Sequence, residues 1–283
     1  MKKSIVWVLV VLSLVIGIGL GYTIKSCNSC KKDEPIKENV NEPDNQNYDL
    51  SNYVVDAQYE KEVLADEYIR YPGESTSSYV DNSYGIEIKY KNNLQKVSDF
   101  KVPYFKFNTD DAKNINKKME KLYDETINSY NEGVKASKNS DEMNWSQVLT
   151  YYSYLYNDLL SVVVINGSQC TSPWEFNFET FVFDVNTGKK LEYNEIIKKI
   201  HLNIEDVNIK IEEEMLKLME NLYGQDIVNS FGQKAKDILR DSIKDNTLKI
   251  YIDKEGELNC FVLPYCPDVQ NGDKSFYNIK IEK

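Results

Sequence analysis

His201 is the only histidine in the chain. A Ser-His-Asp triad, a Cys-His dyad and a histidine-rich metal site each need an imidazole with fixed partners, so this one residue would have to serve every such chemistry alone. It stands in KKIHLNIED, at the approach to a helical segment, where a surface or structural role is the simpler expectation. Carboxylates are plentiful, but the adjacent ones have plain uses. Asp110-Asp111 suits the first turn of a helix, and Glu212-Glu213-Glu214 suits a solvated helix face. Two acids acting as a glycosidase pair would come from distant parts of the chain, where spacing does not reveal them. The sequence contains no P-loop and no GxGxxG, and only Arg70 and Arg240 offer guanidinium forks for anions. These residue types argue against an enzyme and imply neither a cofactor nor a metal. The alternative is a cell-wall-active hydrolase or deacetylase working through carboxylates.

Aromatic rings are the larger resource, with 21 Tyr, 10 Phe and 3 Trp. In VLTYYSYLY a period of two puts Tyr152, Tyr154 and Tyr156 on one strand face, with Tyr151 and Leu155 on the other. Three amphipathic rings in a row suit stacking on a glycan or a protein interface. Ordinary packing beneath other elements is the competing use. In FETFVFDVNTGKKLEYNEII (residues 178–197) the rings alternate again, Phe178 with Phe176 and Thr180 on one face, Phe181 with Phe183 on the other. Asn186-Thr187-Gly188 then reads as a hairpin-type turn, with glycine supplying a positive φ.

Five cysteines add little chemistry. Cys27 and Cys30 form a C-x-x-C, but no second pair or histidine follows at zinc spacing. In an oxidising compartment Cys260 and Cys266 can bridge, or either can meet Cys170; in a chain without disulfides they are buried thiols.

The elements that position these residues alternate in type. Residues 84–92 (YGIEIKYKN) read as a half-buried strand. Residues 101–107 read as a second, with Pro103 at an edge or strand start. Asn108 or Thr109 caps a helix whose buried stripe is Ala112, Ile115, Met119, Leu122, Thr126, Ile127 and Tyr130. A polar loop is expected over 133–144, then a hairpin turning at Asn157-Asp158. Helices follow over 203–223, with a stripe of Ile204, Val207, Ile211, Met215, Leu218 and Leu222, and over 226–243, with Ile227, Phe231, Ala235, Ile238 and Leu239. Strands at Leu248–Ile252, Leu258–Tyr265 and Ser275–Ile281 end the chain. The expected class is α+β, with largely antiparallel sheets packed against helices.

The N-terminus addresses location. Lys2 and Lys3 precede an uncharged apolar run from Ser4 to Ile24, long enough to cross a bilayer as a helix. The run is long for a signal peptide and lacks a small-residue cleavage site, which favours a retained anchor over residues 1–25. Residues 26–52 read as a flexible acidic spacer. First and second α+β subdomains are expected at 53–140 and 141–283, outside the cytoplasm on a single-pass anchor. All 45 acids, but only 29 of the 34 basic residues, lie beyond Lys32. Such a surface repels nucleic acid and attracts cationic partners.

VPYFKFNTDDAKNINKKMEKLYDE, FVFDVNTGKKLEYNEII and LKIYIDKEGELNCFVLPY together resemble an extracytoplasmic module of Gram-positive bacteria. The module occurs in the lysozyme-sensing anti-sigma factor of bacilli and ahead of the catalytic domain in some peptidoglycan deacetylases. The likeness runs from about residue 84 to the end. It implies a two-part α+β ectodomain that binds or senses rather than catalyses, with a lysozyme-like protein or peptidoglycan as partner. Only three residues precede the apolar run, where the anti-sigma factor carries its sigma-binding segment, and no deacetylase domain follows. The chain is therefore expected to be the module alone on a tether.

Overall fold

The computed structural model describes residues 49–61, 77–81, 88–92, 100–137, 146–169, 175–264 and 276–281. The expected anchor and most of the spacer lie outside them. No helix among the described residues is long and apolar enough to cross a membrane. The spacer, expected to run to 52, gives way to structure by Asp49. Its carboxylate accepts from the Ser51 N–H at 2.9 Å and caps a 3-10 turn over Leu50–Asn52. Residues 47–283 form one compact unit.

Helix α1, Asp110–Ser137, forms where the apolar residues recur at three and four. Ala112, Met119, Ile127 and Tyr130 are all at most 1% exposed. The stripe continues to Val134, also 1% exposed, so the helix runs past the loop expected from residue 133. Thr109 stands at the N-cap position, its hydroxyl accepting from the Ala112 N–H at 3.4 Å. Strands β1 (Val54–Asp56) and β4 (Pro103–Phe105) pair antiparallel, and Pro103 opens its strand as expected. Asn116 ties α1 to β4, donating to the Phe105 carbonyl and accepting its N–H at 2.9 and 2.8 Å. Strands β2 (Ser77–Asp81) and β3 (Ile88–Asn92) form a separate antiparallel pair. The strand expected from residue 84 is described only from Ile88.

The main sheet has order β5-β6-β7-β8, from β5 (Ser146–Tyr156), β6 (Leu159–Gln169), β7 (Glu175–Asp184) and β8 (Lys189–Lys190). Asn157 takes a φ of 52° and closes the β5–β6 hairpin at the expected place. One sheet face, with Leu160, Val162, Val164, Phe181 and Phe183, packs on α1 and β4. The main sheet thus closes the core of the segment before residue 140 as well as its own.

Helix α2 (Tyr193–Lys199) leads to α3 (Ile204–Tyr223) and α4 (Gln225–Lys244), which pair as a hairpin about Gly224. The buried stripe of α3 is Val207, Ile211, Met215 and Met219. Leu222, expected inside, is 40% exposed, because a strict four-residue step carries the buried line through Met219 instead. On α4, Ile238 is likewise outside at 41%, and Gly232, Ala235 and Leu239 face inward. A Cβ on Gly232 would sit 3.2 Å from a Leu216 methyl, so small residues set how closely the two helices approach. Glu212 receives both the Nε and an Nη of Arg240, at 2.6 and 3.0 Å, and has Lys236 at 3.6 Å. The middle acid of the expected solvated triplet, Glu213, is exposed; Glu212 is a clamp between helices.

The C-terminal sheet has order β11-β10-β9, from β9 (Lys249–Ile252), β10 (Leu258–Val262) and β11 (Tyr277–Ile281). Strand β9, expected over Leu248–Ile252, buries both faces. Ile250 and Ile252 join the core under α2 and α3, while Tyr251 joins the aromatic core against the main sheet. The Ser161 hydroxyl, fully buried, accepts the Ile252 N–H at 2.9 Å and joins the two sheets. The class is α+β with antiparallel sheets, as expected.

Candidate functional site

Tyr152, Tyr154 and Tyr156 do share one face of β5, and Tyr151 and Leu155 share the other. The tyrosine face is half-buried rather than open. Tyr154 stacks on Tyr251 with centroids 5.6 Å apart, and burial pushes its phenol up to about 12. Tyr156 lies over Gly256, where an added Cβ would meet the ring at 2.2 Å. Gly256 has a φ of 82°, so the β9–β10 turn needs glycine for its backbone and for its clearance. The stack continues inward from Tyr251 to Phe261 at 5.6 Å, and from Phe261 to Phe178 at 4.2 Å. These rings hold the two sheets together.

The turn in FDVNTGK is also a packing device. The Asp184 carboxylate accepts the N–H groups of Asn186 at 2.9 Å and Thr187 at 3.2 Å. Lys199 on α2 pairs with it at 2.8 Å and reaches Asp158 of the β5–β6 hairpin as well. Burial raises the Asp184 carboxyl, but Lys199 and the two N–H groups outweigh it, and the group sits below its ordinary value. Thr109 donates to the Gly188 carbonyl at 2.8 Å, and Asp111 accepts the Lys190 N–H at 3.1 Å. Gly188 has a φ of 65° with the Phe107 ring close beneath it. The start of α1, the turn and α2 are thereby fastened at one point.

His201 takes a φ of 59° where α2 ends, and the next N–H, of Leu202, bonds back to Ile197. It is an exposed C-terminal cap, the structural role expected of it. Glu179 lies between Lys118 of α1 and Lys249 of β9, both at 3.0 Å. Burial raises its carboxyl, but Lys249 and Lys118 more than reverse this. A general acid of a glycosidase needs a shift in the other direction. Among the described residues, no three His, Cys, Asp or Glu side chains gather as a metal site would require.

Cys260 is a free thiol, fully buried in the core beneath α3. Burial raises it above the ordinary thiol value, which removes thiolate character. Cys266, its expected disulfide partner, lies outside the described residues, as do Cys27, Cys30 and Cys170. Alkylation of the native full-length chain, read by peptide mass spectrometry, is expected to leave Cys260 unmodified until urea unfolds it. Rapid native labelling would contradict its burial.

The concave surface lies elsewhere. Where α2 turns into α3, Leu202, Asn203, Asp206, Val207, Ile209 and Ile281 line a hollow of about 330 Å³. A second, of about 360 Å³, continues from it along Glu213, Glu214 and Lys280, and the two share Lys210 and Ile281. Asn203 fixes the corner by accepting the N–H groups of Glu205 and Asp206 at 2.8 and 3.2 Å. The Tyr193 hydroxyl donates to Asn208 at 2.7 Å and holds α2 to α3.

No family model matches this chain, and no curated protein matches it.

The groove's own chemistry is therefore what identifies it. Ile209, 55% exposed, is an apolar side chain on the water-facing side of α3. It was legible as the one isoleucine of that helix off the 204-207-211 line. Its partner Ile281 comes from the far end of the chain, and no local pattern joins them.

Proposed function

We propose that this chain is an extracytoplasmic binding module, anchored by residues 1–25 and lifted from the membrane by the acidic spacer. The supporting observation is charge. The chain carries 45 acids against 34 basic residues, and the basic excess before Asp33 makes the remainder more acidic still. Glu205, Asp206, Glu213, Glu220, Asp226, Asp237, Asp241 and Asp245 are all exposed on the α3–α4 pair and its end. A field of one sign raises the encounter rate with a cationic protein and disfavours polyanions. The resemblance from residue 84 onward supports a lysozyme-like protein as that partner, with cell-wall glycan as the other ligand of such modules.

The test is calorimetric titration of the full-length chain with a lysozyme at low and at physiological salt. Saturable binding that survives physiological salt is expected. Heat present at low salt and gone at physiological salt, where the Debye length is only about 8 Å, would reduce the interaction to acid meeting base. No heat at either salt would remove lysozyme as the partner.

A further inference from the structure

Strand β11 is the outer strand of its sheet, and among the described residues no strand pairs with its other side. An outer strand presents a row of backbone donors and acceptors, the usual template for adding another chain. The groove beside it has an apolar floor and a charged rim. Ile209 and Ile281 supply the floor with Leu202 and Val207. Around the rim, Lys280 is met by Asp253 at 3.6 Å and by Glu257, and Lys217 by Glu214 at 2.5 Å. Asp206 and Glu213 add two more carboxylates beside Lys210. Carboxylates thus outnumber ammonium groups on this rim, in a chain of net charge −11.

We propose that the groove takes an extended segment of a partner protein, laid along β11 as a further strand. An apolar side chain of the segment sits against Ile209 and Ile281, and lysine or arginine two positions to either side, on the same strand face, meets Asp206 and Glu213. Backbone pairing supplies affinity in this mode, and the side-chain pockets supply selectivity. Burial of Ile209 adds a contribution that salt does not screen. This inference rests on the cationic-partner reading and narrows it to one surface.

The probe is the acetylated, amidated peptide Lys-Thr-Val-Thr-Lys, whose valine and two lysines share one strand face, titrated into the full-length chain at physiological salt. Saturable binding is expected, weakened about fivefold by Ile209→Ser. N-methylation of the peptide's backbone is expected to weaken binding further by removing strand donors, and Glu213→Lys to weaken it independently. Ile209 is exposed, so its serine variant keeps the fold, which near-ultraviolet circular dichroism checks. No saturation at about millimolar peptide, or equal affinity for wild type and Ile209→Ser, overturns the groove. The lysozyme titration separates the two ideas. Peptide binding that depends on Ile209 without any lysozyme binding keeps the groove and removes lysozyme. Lysozyme binding unchanged by Ile209→Ser, with no Ile209 effect on the peptide, keeps the partner and removes the groove.

Discussion

Phe183→Ala is expected to destabilise the protein by about 3–5 kcal/mol, the largest effect of any single truncation proposed here. The ring is 0% exposed. It lies 4.8 Å from the Phe105 ring and 5.1 Å from the Phe107 ring, so three aromatics from β4, the following loop and β7 meet at one place. Removing the middle ring forfeits its burial, and it also leaves a void that neighbours in two strands and a helix are not free to fill. Phe107 also underlies Gly188, whose Cβ position is 3.0 Å from it, so collapse of the stack would disturb the Asp184 turn. Urea unfolding measures this. With a slope near 3 kcal/mol per molar, the midpoint should drop by more than about 1 M. Tyr104→Ala, on the neighbouring but 45% exposed side chain, should cost well under about 1 kcal/mol. Equal, small shifts for both would mean that the rings of β4 and β7 do not form a shared core.

The sequence carries local periodicity well and says little about what covers a face. The α1 stripe was readable because apolar residues hold their spacing across about five turns, from Ala112 to Tyr130, and Val134 extended it where the polar residues between had suggested a loop. The β5–β6 hairpin was readable because alternation on both arms meets at Asn157-Asp158. Period two also placed Tyr152, Tyr154 and Tyr156 together. Their cover, Tyr251 and Gly256, lies about a hundred residues further on, and alternation in β5 contains no trace of it. Strand β9 hid its nature for the same reason: it is enclosed between two cores, so Tyr251 is buried alongside Ile250 and Ile252. On α3, Leu218 and Leu222 were plausible core positions by hydrophobicity. Met219 took that place because each buried residue from Val207 onward sits four residues beyond the last. The groove was the least legible feature. It joins the α2–α3 corner to the last strand, and its one local signal, Ile209 off the buried line of α3, was not among the expected site residues.

Asp184→Ala is expected to cost about 2–3 kcal/mol, through backbone donors and a lysine rather than through a void. The carboxylate holds the N–H groups of Asn186 and Thr187 and pairs with Lys199, and the residue is only 8% exposed. Alanine leaves two N–H groups of a tight turn without their acceptor, and it removes one of the two carboxylates that hold Lys199 of α2, leaving Asp158. The same carboxyl gives a pH signature. Its folded value lies below the ordinary 3.8, so it contributes stability that is fully present above that value. The contribution is lost as pH falls through the folded value, once the folded state also binds the proton. Wild-type stability should therefore decline on acidification below about pH 4, and Asp184→Asn should flatten part of that decline while lowering stability at neutral pH. Asn keeps an oxygen acceptor for the turn but not the charge facing Lys199, so it should fall between wild type and alanine at pH 7. If Asn matches wild type there, the turn's hydrogen bonds carry the whole effect and the Lys199 pair carries none. If Asn matches alanine, the charge is what fastens α2 to the sheet.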